Sequence, residues 1–187
     1  MLNPIRTIIT QDAEVDDQNS LRHILLYANE IEIQGIVQTS SIFHWKGQPG
    51  KIGPSDRADY NQPHRWTGTK WMQKVMDDYA VDYKHLVTHD SNYPSPDHLR
   101  SLIQIGNIGY PGEMDASTPG SELIKERILD EDPRPLYIQV WGGTNTIAHA
   151  LYDIEQEYKE NENWLSIKEK IENKVILTAC GEQDDTY

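Results

Sequence analysis

The sequence predicts an α/β fold: a mostly parallel sheet with helices on both faces. Three observations predict it. Short β-branched runs alternate along the chain with segments of helical period. The first three elements form a β-α-β unit, whose crossover is almost always right-handed. The length of 187 residues suits one ordinary domain, and 37% hydrophobic residues suffice for a core. Residues 1–187 are therefore read as a single domain.

Ile5–Thr10 (I-R-T-I-I-T) reads as a buried strand. Asp17–Glu30 follows as a helix with Leu21, Ile24, Leu25 and Ala28 on one face. Ile31–Gln38 is strand-like again. Thr39–Trp66 is rich in Gly, Pro, Ser and His and has no period. A structureless stretch of that length is functional or disordered. Helices are predicted at Thr67–Tyr83, Pro96–Ile105 and Ser121–Leu129, and a third strand at Pro135–Trp141. Thr144–Tyr158 and Trp164–Glu172 are further helices, and Lys174–Cys180 is a fourth strand. Parallel sheets bind ligands at the carboxyl ends of their strands. That rule selects the loops after Thr10, Gln38, Trp141 and Cys180.

Charge narrows the function. Seventeen basic and 30 acidic residues give a net charge of −13. Such a surface repels nucleic acid and anionic membranes, and it suits a hard cation or a neutral polar ligand. Cys180 is the only cysteine, so no internal disulfide forms; its apolar neighbourhood reads as a buried structural thiol. No apolar run approaches the ~20 residues of a membrane span. No signal peptide is visible; had one been removed, the protein would be secreted or periplasmic.

The most informative segment is Q-D-A-E-V-D-D-Q, Gln11 to Gln18, at the first strand-to-helix turn. Carboxylates at Asp16 and Asp17 suit a helix start. Capping alone does not account for Asp12 and Glu14, which crowd the other two. Crowded carboxylates are best tolerated around a cation. The spacing is not that of an EF-hand, and no G-x-G-x-x-G or Walker sequence follows the strand.

I-I-T-Q-D-A-E-V-D-D-Q resembles the amino-terminal D-x-D-P-G-x-D-D-A signature of nucleoside hydrolases, with Thr10 in place of the first acid and Ala13-Glu14 in place of Pro-Gly. G-G-T-N-T-I-A, Gly142 to Ala148, is similar to that family's G-P-L-T-N-I-A. R-W-T-G-T-K-W-M, G-S-x-L-I and Q-D-D-T-Y extend the resemblance over nearly the whole chain, to the Sde182-type, cellulose-binding nucleoside-hydrolase-like domain. The resemblance implies the nucleoside-hydrolase-like fold, incomplete at the carboxyl end, because such domains are longer and carry a later metal-binding Asp. It implies Ca²⁺ held by Asp12, Asp17 and the backbone carbonyl of Thr144. It implies sugar hydroxyls bound by Asp16, and a metal-activated water deprotonated by Asp12. Glu14, standing where the family has glycine, borders the substrate. Asn145 lies in the second motif and is expected to contact the ligand.

Two further groups are candidates. Asp184 and Asp185 follow the last strand at the ligand edge: either sugar contacts or an exposed acidic tail. Phe43-His44-Trp45 and His64-Arg65-Trp66 bracket the long loop. Trp45 and Trp66 are read either as a stacking platform for a glycan or nucleobase or as loop anchors; as a platform they would be more exposed than Trp141. Trp71 is read as a core anchor. His44 or His64 is left as the leaving-group acid. Gly106, Gly109 and Gly112 in G-N-I-G-Y-P-G are read as a turn, from which Asn107 can present its amide. The expected function is Ca²⁺-dependent hydrolysis of N-glycosyl or related sugar substrates. The alternative is a non-catalytic carbohydrate-binding domain for cellulose or another plant cell-wall glycan. The partner is then a small nucleoside or carbohydrate ligand, with homo-oligomerisation allowed.

Overall fold

In the computed structural model of the protein, residues 4–53 and 59–179 are described. Cys180, Asp184 and Asp185 lie outside them. In chain order the elements are β1 (Ile5–Gln11), α1 (Val15–Leu25), β2 (Ile31–Gln38), α2 (Trp71–His89), α3 (Pro96–Ser101), β3 (Ile103–Ile105), α4 (Pro119–Leu129), β4 (Leu136–Val140), α5 (Asn145–Tyr158), α6 (Trp164–Lys174) and β5 (Val175–Ala179). The strands form one parallel sheet in the order β3-β2-β1-β4-β5. The α/β expectation therefore stands.

Adjacent residues of a strand point to opposite faces, and each face has its own core. Ile9 and Ile36 pack with Leu21, Leu25, Met72, Met76 and Leu99 beneath α1, α2 and α3. Ile8 and Val37 pack with Ile124, Ile128, Ile138 and Ile147 beneath α4 and α5. Each fully buried aliphatic side chain contributes about 1.5–3 kcal/mol relative to exposure. Trp71 joins the first cluster, as expected.

Two elements differ from the sequence reading. Ile103–Ile105 is not the end of a helix: α3 stops at Ser101, and the I-Q-I that follows pairs with Ile36, Val37 and Gln38. Over three residues, alternation and helical period cannot be told apart. The long segment after β2 is also more tied down than its composition suggests. Trp45 and His64 form an antiparallel bridge, and Lys46 and Gly47 donate to the carbonyls of Ile108 and Gly109.

The two sheet edges are finished differently. β3 is short and half-buried, whereas β5 carries aliphatic side chains exposed on both faces, Ile176 at 38% and Leu177 at 51%. At the amino ends of the strands, Arg6 of β1 and Lys174 at the end of α6 are buried against Asp130, which closes α4. The sheet order reverses between β1 and β4, and the crevice at their carboxyl ends is where such sheets bind ligands.

Candidate functional site

Three backbone contacts gather the loops at that crevice. Trp141 N–H donates to the Thr10 carbonyl at 2.9 Å, Thr39 N–H to Gln11 at 2.8 Å, and Gly106 N–H to Gln38 at 2.7 Å. Gly142 lies directly on the first of these loops: a Cβ there would stand 2.8 Å from the Asp12 amide nitrogen and 3.0 Å from its Cβ.

The turn after β1 is organised by its own acids. Asp17, in the first turn of α1, reaches back, and its Oδ2 accepts the Asp12 N–H at 2.8 Å and the Ala13 N–H at 3.1 Å. Asp12 Oδ1 accepts the Glu14 N–H at 3.1 Å. Ala13 takes φ +77°, a left-handed conformation that costs an L-residue about 1–2 kcal/mol. Asp12 and Asp17 are both buried, at 1% and 4% exposure. Burial and then the neighbouring Asp12 push the Asp17 carboxyl well above the ordinary carboxylate range. Burial opposes ionisation of Asp12 too, but His44, Asp17 and Ser41 outweigh it and hold this carboxyl below its usual value. The two carboxyls are thus driven apart, Asp17 upwards and Asp12 downwards, and a cation would relieve the same repulsion.

His44 is buried beside them. Its Nδ1 lies 3.1 Å from Glu14 Oε1 and 3.6 Å from Asp12 Oδ2, within ion-pair range of both and aligned for a hydrogen bond with neither. Asp12 Oδ2 is buried without a hydrogen-bond partner. Burial and then Asp12 raise the Glu14 carboxyl.

The structure thus brings Asp12, Glu14, Asp17 and His44 together. Asp16 is exposed on the outer side of the same helical turn. His64 is half-buried, its ring stacked on Trp45 at 4.4 Å, and burial lowers its pKa. Trp45 corrects an expectation. It is 2% exposed, donates its Nε1 hydrogen to Gln62, and packs edge-on against Tyr60. An indole enclosed in this way offers no face to a ligand; it anchors the loop. Trp66 and Trp141 are both half-buried, so the expected contrast between platform and strand tryptophans is absent.

Asn145 is enclosed by protein. Its Nδ2 lies 2.9–3.1 Å from Ser40 Oγ and from the Asn107 and Glu113 carbonyls, and its Oδ1 accepts the Thr39 hydroxyl. It fastens the loops after β2, β3 and β4 to one another. Asn107 is enclosed likewise, donating to the Ala116 carbonyl. Thr144 stands at the amino end of α5, and its carbonyl accepts the Ala148 N–H at 2.9 Å.

Sequence reasoning missed the buried Thr39, Ser40 and Ser41, whose signal was three small polar residues ending a strand at the ligand edge. It missed Gln11 and Gln38, each with a buried Oε1 lacking a partner.

Among the described residues, no three His, Cys, Asp or Glu side chains converge on one metal position. Asp12 and Asp17 fit a hard cation as two carboxylates, one with a partnerless oxygen. Remaining ligands would come from backbone, water or substrate hydroxyls, since Ca²⁺ takes about 6–8 oxygens. A recess of about 960 Å³ at the amino ends of the strands is lined by Ile5, Ile31, Glu30, Glu32, Asp90 and His98 among others, and lies away from the reversal of the sheet order. No helix among the described residues is long and apolar enough to cross a membrane.

The chain matches, over residues 6–187, the family model of the cellulose-binding Sde182, nucleoside hydrolase-like domain. It is similar to a solved structure, a nucleoside hydrolase-related hypothetical protein from Saccharophagus degradans that is associated with carbohydrate metabolism. The TM-score is 0.73 at 26% identity, over 95% of this chain and 38% of that one. The chain therefore spans well under half the length of that relative. Among curated proteins, none matches.

Proposed function

The chain belongs to the Sde182-type nucleoside-hydrolase-like family, and from that premise we propose that its acidic turn is a sugar-binding site with the chemistry of N-glycosyl or related hydrolysis. The observation that supports this reading most is the buried Asp12–Asp17 pair, with a partnerless carboxylate oxygen at the reversal of the sheet order. Asp12 is the member held ionised, so it is the base. It takes the proton of a water attacking the anomeric carbon as the bond to the leaving group breaks. His44, within reach of both Asp12 and Glu14, is placed to hold a proton at Nδ1 for the departing group. Carboxylates on this side stabilise an oxocarbenium-like transition state. Ca²⁺ held by Asp12 and Asp17 would offset the repulsion between them and polarise oxygens bound to it.

A second reading, a glycan-binding domain without turnover, is favoured by the enclosure of Asn145. That residue was expected to contact the ligand, and its amide nitrogen is spent on the loops after β2 and β3.

One experiment separates the two. The chain is incubated with inosine, uridine and Ca²⁺, and released ribose is assayed beside calorimetric titration with Ca²⁺ and cello-oligosaccharides. Expected are weak Ca²⁺ binding that Asp17→Asn removes, and ribose release far below the ~1–1000 per second of ordinary enzymes. Turnover within that range would make the chain a nucleoside hydrolase proper. Undiminished Ca²⁺ affinity in Asp17→Asn would remove the cation from the site.

A further inference from the structure

One cation at the rim of the acidic turn is unused by the reading above. Among the described residues, two other than glycine have a left-handed backbone: Ala13 at φ +77° and Arg65 at φ +46°. They are distant in sequence and converge on one place. Ala13 separates Asp12 from Glu14. Arg65 follows His64, which exchanges hydrogen bonds of 3.0 and 3.1 Å with Trp45 across the antiparallel bridge. His44 precedes Trp45 and Arg65 follows His64, so both stand at the same end of that bridge, and His44 is 3.1 Å from Glu14. Costly backbone conformations persist where the surrounding structure enforces them, and they cluster at ligand sites.

The side chain is as unusual as the backbone. Arg6, Arg22, Arg100, Arg127 and Arg134 each close on a carboxylate. Arg65 is exposed and makes no hydrogen bond or ion pair among the described residues, although Glu14 and His64 are within its electrostatic reach. In a chain with 30 acids against 17 bases, carboxylate partners are plentiful. The one described arginine outside an ion pair stands beside the candidate site, and Glu14 is engaged by His44 instead. Its five N–H donors, in a planar fork matched to carboxylate and phosphate, remain uncommitted.

We infer that Arg65 determines the specificity of this site, and that the ligand is a sugar bearing an anionic group, carboxylate or phosphate, gripped by the guanidinium while the acidic turn holds the sugar hydroxyls. This rests on the reading of the turn as a sugar site. The acid excess repels anions in general, so an anionic sugar is admitted in one orientation, with its charge on Arg65 and its hydroxyls towards Asp12.

The test is calorimetric titration of the full chain with glucuronate, glucose 6-phosphate and glucose. At least one charged sugar is expected to bind ten-fold or more tightly than glucose, with an advantage that shrinks as salt rises. The two charged arms decide between carboxylate and phosphate. Arg65→Gly accepts the left-handed backbone, so it should melt no lower than the parent while bringing the charged sugars to within about two-fold of glucose. Arg65→Lys should fall between. No preference for either charged sugar in the parent, absence of binding included, overturns the inference. So does a preference that survives in Arg65→Gly. Asp12→Asn separates this from the wider reading. If that variant keeps the preference unchanged and Arg65→Gly loses it, the arginine stands and the acidic turn falls. If Asp12→Asn abolishes sugar binding and Arg65→Gly keeps the preference, the reverse holds.

Discussion

Gly142→Ala isolates how closely the loop after β4 must approach the acidic turn. Gly142 is buried and is not among the glycines with positive φ, so alanine is allowed there by its backbone. At a site free of contacts the change would stabilise the protein by about 0.4–1 kcal/mol through the unfolded chain. Here the new methyl meets the Asp12 amide nitrogen at 2.8 Å, the Asp12 Cβ at 3.0 Å and the Gln11 carbonyl carbon at 3.1 Å. Ordinary contact begins near 3.4 Å, so the loops must part by roughly half an ångström. None of the three atoms ends a flexible side chain. Overpacking of this kind costs about 1–3 kcal/mol, which reverses the sign expected from conformational entropy. The same displacement moves Asp12 relative to Asp17, and misplacement of ~1 Å at a site costs about 100-fold in rate. Urea unfolding should show a lower midpoint with an unchanged slope, and Ca²⁺ titration a weaker site. An equal or higher midpoint together with undiminished Ca²⁺ affinity would refute the claim that this glycine sets the geometry of the turn.

Three other outcomes follow from the same contacts. Ala13→Gly relieves about 1–2 kcal/mol of left-handed strain at φ +77°, but it frees the unfolded chain by about 0.4–1 kcal/mol and removes a buried methyl worth about 0.8 kcal/mol, so the urea midpoint should stay nearly unchanged, where an unstrained buried alanine would lose more than about 1 kcal/mol. Asn145→Ala leaves the Thr39 hydroxyl and two loop carbonyls without their partner, and at about 1–3 kcal/mol for each unsatisfied buried group it should cost ~3 kcal/mol or more by thermal unfolding. In single-tryptophan variants, Trp45 should resist iodide quenching more strongly than Trp66 or Trp141; equal quenching of all three would contradict its enclosure.

How much of this was legible in the sequence depends on how local each signal is. β1, β2, β4 and β5 announce themselves as β-branched runs, and the β1 turn as four carboxylates in six residues. The division of labour within that turn is not local. Asp16 and Asp17 are neighbours in sequence, yet successive helical residues differ by about 100° in direction, so one faces water and the other the Asp12 amide. Trp45 and His64 pair across a loop with no period to betray it. Nothing near Gly142 in sequence reveals that it lies on Asp12, and nothing near Arg65 reveals that it comes within reach of Glu14. Asn145 was found by motif, but its work is visible only once three loops are in place.

The unequal finish of the sheet has a practical consequence at the bench. Among the described residues β5 is the last strand of the sheet, with Ile176 and Leu177 exposed and no proline or charged side chain within the strand. An edge dressed in this way is a template for any other extended chain, another copy of the same molecule included. Concentration is therefore a variable to hold fixed in measurements on this chain, and agreement between titrations at tens and at hundreds of micromolar is the check that the edge is not in use. Leu177→Lys would be the simple safeguard, because it spoils the template on a strand that carries none of the residues whose chemistry is in question.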